Sequence, residues 1–128
     1  MSNPTIHYRF CYNSHGRDMS GVRARIIESY DHIPSIDGYR KGDKLTIAFE
    51  GGANISPDEH GCEILFRIFN APDERPLEYA GPSMSIGDVV TFFPDTDHTV
   101  SFACSLVGFV PANIRGSKIE ETPANWRR

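Results

Sequence analysis

The sequence predicts an α+β domain: a small, mostly antiparallel sheet of about four strands covered by two helices, in the order β-α-β-α-β-β. Three observations lead there. Apolar residues alternate with polar ones in TIHYRFCYN, KLTIAFE and GDVVTFF, as in half-buried strands. In two other stretches the apolar residues recur at helical spacing, and Gly, Pro, Asn and Asp separate the stretches. A chain of 128 residues, 39% hydrophobic and 23% charged, has the length and composition of one domain that buries its own core. That domain is expected over residues 1–114. Residues 115–128, ending GSKIEETPANWRR, show no period and are expected to be a mobile tail, with Trp126 able to dock on the body or on a partner.

The first strand places Ile6, Tyr8, Phe10 and Tyr12 on one face and Thr5, His7, Arg9 and Cys11 on the other. A helix follows over Ser20–Ile33, with Val22, Ile26, Ile27, Tyr30 and Ile33 on its apolar side and Pro34 after it. Leu45, Ile47 and Phe49 should share a face of the second strand, which Gly51-Gly52 closes. Ser56-Pro57-Asp58-Glu59 signals the second helix: Ser56 as N-cap, Pro57 in the first turn, Glu59 completing a capping box. Its stripe is Ile64, Leu65, Ile68 and Phe69, Gly61 costs it stability, and Asn70 with Pro72 ends it. Asp88–Phe93 and Thr99–Val110 then form a hairpin, the long return strand carrying Val100, Phe102, Cys104 and Leu106 on one side, with Gly108 marking a bulge or close backbone contact.

Gly-Asp occurs twice before a strand, in YRKGDKLTIAF and SMSIGDVVTFF. Glycine supplies a positive φ and aspartate bonds nearby backbone N–H groups, so both copies read as turns delivering the chain into strands rather than as a catalytic carboxylate pair.

Charge and cysteine usage exclude several classes. The net charge of −4 is unevenly spread: residues 45–100 hold ten acidic side chains against two basic ones, while the segments on either side are each slightly basic. A nucleic-acid binder shows the opposite sign as a patch, so nucleic acid is not the expected partner, and an acidic surface suits a basic one. Cys11, Cys62 and Cys104 are far apart and form no CxxC pair, which fits buried thiols better than disulfides or zinc. No apolar run approaches the roughly 18 residues that cross a bilayer, and the first residues lack a signal-peptide layout, so a cytoplasmic location without membrane contact is expected.

No catalytic constellation emerges. His7 and Cys11 share a strand face yet lie about 13 Å apart along it, too far for a dyad. His60 and Cys62, two apart on a helix, point apart. Asp95, Asp97 and His98 suit a polar hairpin tip. GxGxxG, phosphate-loop, GxSxG and HExxH motifs are absent. Neither a metal nor a cofactor is expected, and an enzyme is the less favoured reading. Tyr39 and Tyr79 place aromatics on loops, where they could anchor a partner or, with Arg9 or Arg40, line a pocket for a small ligand or nucleotide.

From Ile64 to Val110 the chain resembles the YodL-like family of small bacterial domains, through LFRIFN, AGPSMSIGDVV and FACSLVGF. Met84 stands where the family usually has Leu, and the DTDH tip is extended. The resemblance implies a bacterial, phage or mobile-element context and no established catalysis. Within its motif, Ser83, Ser85 and Asp88 bend the backbone into the hairpin and are, with Tyr39, Arg40 and Tyr79, the candidate binding residues. The expected function is a non-catalytic interaction module that modulates a host protein. The alternative is a domain that sequesters a small molecule or nucleotide.

Overall fold

The structure, a computed structural model, describes residues 5–13, 44–94, 97–105, 108–112, 114 and 118–128. Six strands form one sheet: β1 (Ile6–Asn13), β2 (Lys44–Ala53), β3 (Val89–Phe93), β4 (Val100–Ser105), β5 (Gly108–Pro111) and β6 (Lys118–Glu120), in spatial order β5-β4-β3-β1-β2-β6. One α-helix, α1 (Glu59–Asn70), lies between β2 and β3 in sequence, and a 3₁₀ turn spans Ala124–Trp126.

This corrects the expected architecture. The described sheet has six strands rather than about four, it is mixed, and one helix rather than two is present among the described residues; the stretch expected as a first helix, Ser20–Ile33, lies outside them. Two causes account for the extra strands. The long return strand is two strands, because the chain comes back on itself and Ser105 pairs with Gly108, whose φ of +116° suits glycine. Lys118–Glu120 then adds alongside Lys44–Thr46 in parallel, the sheet's one departure from antiparallel pairing.

β1 sits at the centre, antiparallel to β2 and β3. Its alternation is as expected: Tyr8 and Phe10 face α1, while Cys11 joins a second buried cluster with Leu45, Val89 and Ala103 on the other face. β2 departs from simple alternation. Phe10 pairs with Phe49 but Cys11 with Ile47, so Ala48 is the extra residue of a bulge. The bulge turns Phe49 to the α1 side while Leu45 and Ile47 stay with Cys11 on the opposite side.

The core under α1 is aromatic. Phe69 is fully buried, its ring 5.0 Å from that of Phe10, 5.1 Å from Tyr79 and 5.6 Å from Phe49, all in tilted or edge-to-face contact. Helix α1 begins one signal later than its sequence suggests. Asp58, not Ser56, is the N-cap and accepts from the Gly61 N–H at 3.2 Å, while the Ser56 hydroxyl donates to the same carboxylate oxygen at 2.7 Å. These hydrogen bonds hold the Asp58 carboxyl below its ordinary range. Gly61 is a requirement rather than a cost: a Cβ there would overlap the Ser56 carbonyl oxygen and meet Phe92 Cζ at 3.3 Å.

All three cysteines are buried and outside any disulfide, and burial pushes the Cys11 thiol up to about 12 and the Cys62 thiol upward as well. A protonated, enclosed thiol is a poor nucleophile, so a disulfide-exchange reagent at about pH 8 should titrate none of the three in minutes and all of them in denaturant. Rapid labelling of one native thiol would contradict this packing.

Residues 118–128 close on the body. The Trp126 ring lies 5.4 Å from that of Tyr12, Ala80 N–H donates to the Trp126 carbonyl at 2.8 Å, and Arg128 N–H donates to the Glu78 carbonyl at 2.9 Å.

Candidate functional site

Of the residues that the sequence offers for binding, Tyr79, Ser83, Ser85 and Asp88 fall in the hydrogen-bonded connection between α1 and β3. Gly87 has φ +92°, a conformation open to glycine, and it turns Asp88 inward. The buried Asp88 carboxylate accepts from Ser85 N–H through one oxygen and from Asn13 N–H through the other, each at 2.8 Å. Its backbone pairs with β4: Gly87 N–H donates to the Cys104 carbonyl and Cys104 N–H to the Asp88 carbonyl, both at 2.9 Å. One side chain thus joins the turn to the end of β1.

The rest of the connection is tied the same way. Asn70, last residue of α1, accepts from Met84 N–H at 2.7 Å and donates to its carbonyl at 3.0 Å, seating the Met84 side chain in the core. Arg75 donates to the carbonyls of Phe69 and Gly81 and to the Ser83 hydroxyl, at 2.7, 3.1 and 3.1 Å. Tyr79 is 1% exposed and its hydroxyl donates to the Pro82 carbonyl, so it is a core side chain and not a surface anchor. Ser83 is exposed, Ser85 half-buried and Asp88 enclosed, so the three share a loop without converging on a cavity. Tyr39 and Arg40 lie outside the described residues, as do Asp95 and Thr96 of the hairpin tip. The segments LFRIFN, AGPSMSIGDVV and FACSLVGF, far apart in sequence, meet through Asn70–Met84 and Asp88–Cys104.

Among the described residues two surfaces stand out for recognition. The first is the outer side of α1 with the connection after it, where Asp58, Glu59, Glu63, Asp73, Glu74 and Glu78 are all exposed. Arg67 is one exposed base among them, its Nε 3.9 Å from Glu74, and exposed Arg127 and Arg128 lie against Glu78, while Arg75 is turned inward. Leu77, next to Glu78, is 83% exposed; Phe66, 36% exposed, packs its ring 6.1 Å from that of Phe109 on β5. Sequence reasoning found the acidity but not Leu77, because a single leucine among prolines and acids carries no periodic signal.

The second surface is on the opposite face of the sheet. A shallow groove of about 740 Å³ is lined by Thr5, His7, Arg9, Glu50, Phe93 and Pro94 among others. Strand pairing sets Arg9 between Glu50 and Thr91, and His7 between Gly52 and Phe93. Arg9 Nε and Nη2 each reach Glu50 Oε2 at 3.1 Å, and the guanidinium carbon lies 5.2 Å from the Phe93 ring centre. Of the row His7, Arg9 and Cys11, the first two line the groove and Cys11 is buried.

Among the described residues no group of three or more His, Cys, Asp or Glu side chains is arranged to hold a metal ion, and no helix is long and apolar enough to cross a membrane. No protein-family model matches the chain, and neither a curated protein nor a solved structure gives a significant match.

Proposed function

We infer that the protein is a non-catalytic interaction module that binds and modulates a basic partner protein through the outer side of α1 and the connection that follows. The observation that carries this reading is the exposed Leu77, in a segment that also exposes Asp73, Glu74 and Glu78. A large apolar side chain at 83% exposure gains nothing in the free protein, and burying it against a partner supplies about 1.5–3 kcal/mol. The carboxylates around it would steer a positively charged surface and suppress acidic competitors. In the Ser83–Asp88 turn the Asp88 carboxylate is spent on two backbone N–H groups and the Ser83 hydroxyl accepts from Arg75, which pairs neither with a nucleophile or base there. The resemblance over Ile64–Val110 supports a bacterial, phage or mobile-element setting and a cytoplasmic partner of the host.

Affinity capture from bacterial lysate, run in parallel with wild type and with a Leu77→Ser/Glu63→Lys/Glu74→Lys variant, tests this. The expected result is a basic protein retained by wild type at physiological salt, released as ionic strength rises, and lost by the variant. Equal recovery by both proteins, or no specific protein with either, would overturn the assignment to this surface.

A further inference from the structure

We propose that the groove above Arg9, on the face of the sheet away from α1, is a binding site for a flat nitrogen heterocycle of nucleobase size. Arg9 is held in a fixed plane: Nε and Nη2 both engage Glu50 Oε2, and Phe93 supports the guanidinium from one side. The pair is partly open to water, with side-chain exposures of 30% and 55%, so it contributes little to stability for the rotational freedom it gives up. What the restraint does produce is a preorganised cationic plate at the groove. Guanidinium planes stack on aromatic faces and on unpaired bases.

His7 supplies the second wall. It stands two residues before Arg9 on the same strand face, a separation of about 7 Å along β1. A planar ring held between imidazole and guanidinium needs a separation of that size, two van der Waals contacts of roughly 3.5 Å, and both side chains line the groove. The strand opposite His7 carries Gly52, and its missing side chain lets Thr5 Cγ2 and His7 Nδ1 close in there, 2.7 and 3.6 Å from where a Cβ would sit. Glu50, more than half exposed, offers a carboxylate at the rim to accept from ring or exocyclic N–H groups. A hydrophobic ring without donors would leave that carboxylate unused, which selects a heterocycle. The base could come from a free mononucleotide or from an unpaired nucleotide of a single strand, and both present the same ring.

The test is an amide and arginine side-chain NMR titration of the full chain with adenosine monophosphate, guanosine monophosphate, ribose 5-phosphate and a ten-nucleotide single-stranded oligomer. A monophosphate should shift His7, Arg9 and Phe93, including Arg9 Nε–H, whereas ribose 5-phosphate should not. Arg9→Lys keeps the charge but loses the plane, and should weaken binding roughly tenfold with an unchanged thermal midpoint. Phe93→Leu, which removes the support and keeps the volume, should weaken it as well. Tighter binding per base by the oligomer than by the monophosphate identifies a single strand as the source, and weaker binding identifies the free nucleotide. Absence of shifts with either monophosphate up to about 5 mM, equal shifts with ribose 5-phosphate, or undiminished binding by Arg9→Lys would overturn the proposal.

Discussion

Replacing Asp88 by alanine is expected to lower the unfolding free energy by about 3–5 kcal/mol, the largest effect of any single polar residue described. The substitution orphans two backbone donors, Asn13 N–H and Ser85 N–H, around a side chain with no exposed area, at about 1–3 kcal/mol each, and adds a cavity. Asp88→Asn keeps one acceptor oxygen and sets an NH₂ against the remaining N–H, so roughly half of that loss should persist. Urea titration of the three proteins measures it. A loss below about 1 kcal/mol for Asp88→Ala would mean that both donors find other partners, and the turn would then lie open to solvent instead of being a buried junction.

Gly61→Ala gives the second large effect, and its sign separates local from tertiary control. Helix propensity alone promises a gain of about 1 kcal/mol from removing a glycine within a helix. The packing demands the reverse, because the new methyl would sit on the Ser56 carbonyl and against Phe92, and the segment that carries the Asp58 cap would have to shift. A net loss of about 2–3 kcal/mol is expected, read as a fall in the thermal midpoint and in the denaturant midpoint together. Stabilisation would show that the approach of the Ser56 segment to α1 is looser than described.

These two residues also show what could be read from the chain itself. Asp88 was legible as a turn former, since the chemistry of Gly-Asp before a strand is local. That its second oxygen reaches Asn13, 75 residues away, was not, because nothing in either segment's spacing encodes the other. Gly61 misled for the same reason: the local rule prices a glycine inside the helix, and the deciding contact comes from outside it. The strand faces of β1 followed directly from alternation, yet β2 did not, because one bulged residue at Ala48 reverses the pattern partway along. The return strand looked continuous because Gly108 resembles a bulge as much as the start of a new strand. Tyr79, judged by its loop setting to face outward, is buried, since a tyrosine ring is mostly apolar and the Pro82 carbonyl satisfies its hydroxyl. Of the surfaces argued for recognition, the acidity of the first and the row of His7 and Arg9 were visible as composition and period. Leu77 and the Phe93 support for Arg9 needed the fold.

Strand β5, outermost among the described residues, bears on how copies of this protein coexist. Ala112 N–H bonds inward to the Ser101 carbonyl, and by alternation Phe109 and Pro111 turn their backbone away from β4. Pro111 has no hydrogen to offer, so along these four residues a visiting chain would find a single donor, that of Phe109. A rim with so few donors disfavours growth from one molecule to the next through β5.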